Sequence, residues 1–328
     1  MGSFVIKQLK SFDDSRLTVY SHLTANQLRS RLDPARAVVI CETPLVVEVA
    51  LKQGMTPYNL LTDTAHLETA RRLLESIGWV CAGEDGGAVA VCEACVGIAA
   101  CEPSGDASVG GQSGALLEVT NASAPVPLFV LPSDELEKLT GYDVIRGLLA
   151  AMRRPAGLAV DEAITGARSI AVLENLVDVS NVGAIFRNAA ALNVDAILLA
   201  PRCADHLSRR AIRVSMGTVF QVPWAQVPEE LWVDGLMQAL HAEGFVATAL
   251  ALSDTAASLT DIKCSASEKH ALFFGSEGYG LDQHTIEACD RAAIIPMAHE
   301  VDSLNVAASS AVAFWELFAR NHFARNQL

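Results

Sequence analysis

From Ser169 onward, short unbroken apolar runs alternate with longer stretches of helical character, and this alternation restricts the fold more than any other feature. Ser169-Ile-Ala-Val-Leu173, Ala196-Ile-Leu-Leu199 and the runs at 245–250, 271–274 and 292–295 read as strands. Helices are expected over 182–192, 207–214, 229–243 and 305–325. Runs so short and so apolar suit strands covered on both faces, which makes the expected fold α/β, a parallel sheet with helices on either side. Sheets of this kind bind ligands in the loops that follow the carboxyl ends of their strands.

The preceding half is less regular. Strands are expected at 37–40, 60–61 and 127–131. Thr43-Pro44 starts a helix, with Thr43 as N-cap and Pro44 at the first helical position, and Gly54 closes it. A second helix runs over 66–77 to Gly78, and a third is capped by Ser133. Between 82 and 114 the pattern fails, with eight of the chain's 22 glycines and three cysteines in that stretch, so it reads as a loop-rich insertion. Cys92-x-x-Cys95 with Cys101 lacks a second Cys or His pair at a ligating distance, so no metal is expected. Pro155-Ala-Gly157 punctuates the chain, dividing it into domains at 1–155 and 165–328.

Composition places the chain among ordinary folded proteins, with 51% apolar and 19% charged residues over 328 positions. No apolar run is long enough to span a membrane. The first ten residues, MGSFVIKQLK, do not resemble a secretory segment, so a cytoplasmic protein with free thiols is expected. The formal charge is −14, which speaks against a nucleic-acid partner on bulk charge. The charge is uneven, however. Residues 140–220 hold nine arginines, no lysine and seven acids, a balance of +2, and the remainder carries −16. Arg153, Arg154, Arg202, Arg209, Arg210 and Arg213 are therefore candidate phosphate contacts, unless they form a solvated, salt-bridged face.

Three loops after predicted strands hold the residues with chemical potential. In the first, Asn181-Val-Gly183 precedes Arg187, which lies one turn beyond Gly183 on the same helix face. Asn181 is either a helix cap or a ligand-facing amide, and Gly183 points to close approach of a backbone or a ligand. In the second, Gly275-Ser276-Glu277-Gly278-Tyr279-Gly280-Leu281 offers exposed backbone groups, or is simply a tight turn. Its glycines match neither the dinucleotide fingerprint nor the P-loop. In the third, Ile295-Pro-Met297 leads to Ser303-Leu304-Asn305, where Ser303 or Asn305 caps the last helix or closes a pocket.

Asn-x-Gly-x-x-x-Arg, Gly-x-Glu-x-x-Gly-Leu and Ile-Pro-Met…Ser-Leu-Asn-Val, in this order and at these strand ends, resemble the SpoU (TrmH) branch of the SPOUT RNA methyltransferases. The resemblance covers 169 to about 325. Upstream, Glu42-Thr-Pro-Leu-Val-Val-Glu48 followed by Gly54 is similar to the L30e-like substrate domain of the rRNA-directed members. Arg146-Gly-Leu-Leu-Ala150 and Arg153-Arg-Pro155 resemble their lead-in to the catalytic domain. The chain departs from the pattern at Val179, where many members carry Pro, at His299-Glu300, where a glycine-containing pair is commoner, and in the insertion at 82–114.

The resemblance implies a C-terminal deep trefoil knot, S-adenosylmethionine as cofactor, a homodimer, and methyl transfer to a ribose 2′-hydroxyl, with 23S rRNA favoured over tRNA. It implies catalytic or site-forming roles for Arg187, Asn181, Glu277, Ser303 and Asn305. The cofactor would be framed by Gly275, Ser276, Glu277, Gly280, Leu281, Ile295, Met297, Ser303, Leu304 and Asn305. Guanidinium groups lose a proton only above about pH 12, so Arg187 suits an orienting, charge-stabilising role better than that of a base. Two other classes stand beside this one: a non-catalytic RNA-binding factor on the same fold, and a nucleotide-dependent enzyme such as a dehydrogenase. The intact motif residues argue against the first, and the missing phosphate-binding glycines against the second.

Overall fold

The computed structural model describes residues 2–21, 24–29, 36–84, 124–140, 147–253, 256–262, 268–299 and 303–320. They fall into two compact units, Met1–Pro155 and Ala156–Leu328.

The first unit runs β1 (Ser3–Gln8), α1 (Thr18–Ser21), α2 (Ala25–Arg29), β2 (Val38–Glu42), α3 (Pro44–Lys52), β3 (Pro57–Asp63), α4 (Leu67–Ser76) and β4 (Val80–Glu84). It continues with β5 (Val126–Leu131), α5 (Ser133–Thr140) and β6 (Leu148–Arg153). The strands form one sheet in the order β2-β6-β3-β5-β1-β4. All pairings are parallel except those of β6, which runs antiparallel to β2 and β3. The pairing of β3 with β6 shifts register between Pro57 and Asn59, and Pro57 has no N–H to give the ladder. Beside this shift the buried Tyr20 hydroxyl accepts from the Ala151 N–H at 3.1 Å and donates to Asn59 Oδ1 at 2.6 Å. One core face gathers Leu17, Tyr20, Ile40, Leu61, Leu131 and Leu149, all nearly inaccessible.

Several local expectations change here. Pro44 does open α3 and Gly54 follows it at φ +77°, but Thr43 makes no side-chain cap and stands at φ +81°. Ser133 is the first residue of α5 and not its cap; the Pro132 carbonyl accepts from Glu135 and Leu136. Strands β1 and β6 are not expected from the sequence, although β6 lies between β2 and β3. Residues 82–84 complete β4, so the first part of the expected insertion is regular strand. Its remainder, with Cys92, Cys95 and Cys101, lies outside the described residues, as do Arg146 and Cys264.

The second unit begins with α6 (Val160–Ile164), whose apolar side shares a core with Ile170 and Val172, so this helix belongs to the second unit's sheet. Then come β7 (Ser169–Leu173), α7 (Val179–Ala191), β8 (Ala196–Leu199), α8 (Arg209–Val214), β9 (Trp224–Gln226), α9 (Asp234–Ala242) and β10 (Phe245–Leu250). The chain ends in β11 (Ala257–Ser258), β12 (Lys269–Phe274), α10 (Gln283–Ala288), β13 (Arg291–Ile294) and α11 (Val306–Phe314). The expected helix over 229–243 is broken: a 3-10 turn at Glu229–Leu231 gives way to extended Trp232 before α9 starts. The expected helix from 305 starts at Val306 and changes to a π-helical turn over Trp315–Ala319.

All seven strands of this unit are parallel, in the order β11-β13-β10-β12-β7-β8-β9. Strands β7 and β8 are buried along their whole length, and β12 nearly so, as strands covered on both faces must be. The neighbours β7 and β12 then part company. The chain leaves β7 toward β8 on one side and leaves β12 toward β13 on the other. Their loops diverge and open a crevice at the carboxyl edge, where open α/β sheets place ligands.

Candidate functional site

The first motif loop leaves β7 at Glu174. Asp178 caps α7 by accepting from the Ser180 N–H at 2.8 Å, so Asn181, the third helical residue, is free of the capping role. Gly183 has a packing reason: a Cβ there would lie 2.7 Å from the carbonyl oxygen of Ala211, so its absence lets α7 and α8 touch backbone to backbone. Arg187, one turn further, is exposed. Asn188 beside it donates to the Ala307 carbonyl at 2.7 Å and to buried Ser310 Oγ at 3.0 Å, tying α7 to α11.

The second loop folds back on itself. Ser276 and Gly280 exchange both backbone hydrogen bonds, at 3.0 and 2.8 Å, and Gly280 takes φ +69°. The turn closes directly over Gly275, where a Cβ would sit 2.1 Å from the Gly280 carbonyl carbon and 2.2 Å from the Leu281 nitrogen. Ser276 Oγ accepts from the Tyr279 N–H at 3.3 Å, and the Tyr279 ring is 98% exposed at the tip. This is a tight turn, and it is also a wall of a cavity.

In the third loop Asn305 caps α11, its Oδ1 accepting from the N–H groups of Ala307 (3.0 Å) and Ala308 (3.4 Å). Its Nδ2 donates to Asn181 Oδ1 at 3.1 Å, and Asn181 Nδ2 donates to the Glu277 carboxylate. The direction of this chain is fixed at both ends. Glu277 can only accept, and the backbone N–H groups of α11 can only donate, so each amide has one possible orientation. One residue from each motif is thus joined to the next.

A cavity of about 400 Å³ lies at the carboxyl ends of β10, β12 and β13. It is lined by Gly275, Ser276, Glu277, Gly280 and Leu281, by Ile295 and Met297, and by Ser303 and Leu304, all candidates from the sequence. Asn305 is not in the lining; it holds the wall from behind. Leu250, Ala251 and Leu252, together with Ile286, Val306 and Ser309, also line it and were missed. Applying the strand-end rule to the strand at 245–250, as to its neighbours, would have found the first three. His299 stands at φ +58°, a left-handed conformation that glycine adopts without strain, at one of the positions where the sequence departs from the motif's commoner glycine pair.

Arg187 is not part of the hydrogen-bonded chain. Among the arginine candidates, Arg202 follows β8 and approaches Glu229 at 4.0 Å, while Arg209, Arg210 and Arg213 lie on α8. Arg153 ends β6 in the first unit, with Arg154 next to it. The thiols near the crevice are partly buried, and desolvation pushes Cys203 up to about 11 and Cys289 to about 12. Among the described residues no three His, Cys, Asp or Glu side chains group as metal ligands, and no helix is long and apolar enough to cross a membrane.

Comparison with known proteins agrees with this geometry. Residues 168–315 match the model of the SpoU rRNA methylase family. A Mycobacterium bovis protein named as an uncharacterized tRNA/rRNA methyltransferase is 33% identical over 94% of this chain and 91% of its own. A 23S rRNA guanosine 2′-O-methyltransferase of Bacillus subtilis is 27% identical over 58% of this chain and 73% of its own. The crystal structure of an AdoMet-bound rRNA methyltransferase from Sinorhizobium meliloti has the same fold, with a TM-score of 0.67 at 18% identity over 97% of this chain and 98% of that one. The loops that meet at this sheet edge and the similarity along nearly the whole chain have one explanation: this protein is a methyltransferase and belongs to the SpoU rRNA methylase family.

Proposed function

We propose that this protein transfers the methyl group of S-adenosylmethionine to a ribose 2′-hydroxyl of RNA, and that the RNA is 23S rRNA. The observation that carries the reading is the chain Glu277–Asn181–Asn305, which fastens the three motif loops to one another beside one cavity at the carboxyl edge of the sheet. The cavity suits the cofactor: a backbone turn closed over Gly275 offers unshielded amides and carbonyls for a nucleoside, beside apolar Leu250, Leu281 and Ile295. The cofactor, when bound, supplies a methyl group made electrophilic by its sulfonium.

The chain's own residues then align and stabilise. Gly275, Ser276, Gly280, Leu281, Ile295, Met297, Ser303 and Leu304 frame the cofactor, and Asn305 fixes the last wall. Asn181 positions the ribose, held by Glu277. Arg187 donates to the 2′-oxygen and the neighbouring phosphate, stabilising the charge that develops as the hydroxyl loses its proton to phosphate or water. Its exposure on α7 supports a substrate-facing role. Arg202, Arg209, Arg210 and Arg213, with Arg153 and Arg154 of the first unit, contact phosphates. The first unit, with its own mixed sheet, is the L30e-like substrate domain.

Two further features belong to the same reading. Strand β13 lies beyond β10 and not beside β12, and α11 returns to pack on α7, which supports a trefoil-knotted C-terminal segment. Val312 and Trp315, 42% and 49% exposed on the terminal helix, support a homodimer through that face. The name of the Bacillus subtilis relative favours 23S rRNA over tRNA. Mapping ribose methylation across rRNA and tRNA of a deletion strain tests the assignment: a single 23S site should disappear, and an unchanged map overturns it.

A further inference from the structure

Glu174 is a buried acid of the second unit that the proposed chemistry does not use. It is the first residue after β7, 1% exposed, and one of its carboxyl oxygens has no hydrogen-bond partner. Its backbone N–H donates to the Phe274 carbonyl at 2.8 Å, immediately before the turn that begins at Gly275. Its other carboxyl oxygen accepts from the Asp282 N–H at 3.4 Å, immediately after the turn ends at Leu281, and the buried Thr285 side chain of α10 faces the same carboxyl. One residue thus holds the chain on both sides of the segment that walls the cavity and carries Glu277. The Asp282–Thr285 end of that clasp is the N-terminal turn of α10, whose donors a carboxyl can satisfy.

We infer that Glu174 is a positioning residue: its backbone and its carboxyl together clasp the Gly275–Leu281 turn at both ends and set the shape of the cofactor cavity. The clasp depends on an acceptor oxygen at this point and not on a negative charge. The groups that face the carboxyl agree with that. From α10 and its flanking residues they are Asp282, whose charge opposes another, Thr285, and Cys289; from the loop after β8 it is Cys203. Desolvation raises both thiols, which are partly buried. None is a cation, and burial pushes the Glu174 carboxyl above its usual range.

The inference rests on the methyltransferase reading, and calorimetry on the full-length protein separates the two. Wild type that fails to bind S-adenosylmethionine overturns the reading itself. With wild type binding, Glu174→Ala should weaken S-adenosylmethionine by about ten-fold or more, since the Asp282 N–H loses its partner and the end of the turn loses its anchor. Glu174→Gln, which keeps the acceptor oxygen, should stay within about three-fold of wild type, and Thr285→Val should fall between. Affinity for 23S rRNA fragments should hold within about two-fold in all three, because phosphate contacts lie elsewhere. If Glu174→Ala does not fold, the Gln and Val variants decide the matter by the same limits. Cofactor affinity unchanged in Glu174→Ala, lost equally in Glu174→Gln, or lost together with RNA affinity overturns the clasp.

Discussion

The glycines of the 275–281 turn should respond to alanine in a graded order. At Gly275 the added methyl meets backbone at 2.1–2.3 Å, the carbonyl of Gly280 and the nitrogen of Leu281, neither of which can swing aside like a side-chain tip. The turn must either carry the overpacking, about 1–3 kcal/mol, or open and give up the two bonds between Ser276 and Gly280, about 1 kcal/mol each. Either way Gly275→Ala should cost about 1–3 kcal/mol. Expressed in cofactor binding, that is about five-fold to 150-fold weaker affinity. Gly280→Ala meets no atom within 4 Å but must hold φ +69°, a strain of about 1–2 kcal/mol, or roughly five- to thirty-fold. Gly278→Ala meets nothing and needs no left-handed conformation, so it should bind as wild type. Titration calorimetry with S-adenosylmethionine, alongside thermal unfolding, reads the series. Wild-type affinity and stability in Gly275→Ala, or a Gly278→Ala effect larger than that of Gly275→Ala, would refute the cradle argument.

Arg187→Ala should abolish methyl transfer while leaving S-adenosylmethionine affinity within about two-fold, because the exposed guanidinium lies outside the cavity lining; equal turnover would remove Arg187 from the mechanism. Asn305→Ala removes the acceptor for two N–H groups of α11 and should cost about 1 kcal/mol in denaturant unfolding, a loss that Asn305→Asp restores in part. Glu174→Gln should alter the pH dependence of stability. The wild-type carboxyl titrates above its usual value of 4.5, so its stabilising contribution is complete below that pH and fades as pH rises through the raised value. The unfolding temperature of Glu174→Gln should therefore gain on wild type across that window, and parallel curves would show that the carboxyl is not perturbed.

Much of the second unit was legible because its strands are continuous apolar runs between helical stretches. The limits of the strand over Phe245–Leu250 and of that over Ala196–Leu199 coincide with the observed ones. What escaped was decided by contacts between distant residues. Strand β6 fits between β2 and β3 through pairing that a local pattern does not announce. The helix over 229–243 reads as continuous in composition, yet the backbone extends at Trp232. Gly183 announced a close approach, but only the structure names Ala211 as the reason. Ser303, Asn305, Glu277 and Asn181 were visible as motif residues. The hydrogen bonds joining the last three were not, and neither was Glu174 as the residue gripping both ends of the turn.

The most direct measurement is the identity of the methylated product. Purified protein, methyl-labelled S-adenosylmethionine and 23S rRNA are incubated, the RNA is digested to nucleosides, and the label is located by mass spectrometry. The account predicts label in a single 2′-O-methylnucleoside, absent when Arg187→Ala replaces wild type. Label on a base, or no transfer to 23S rRNA, would contradict it.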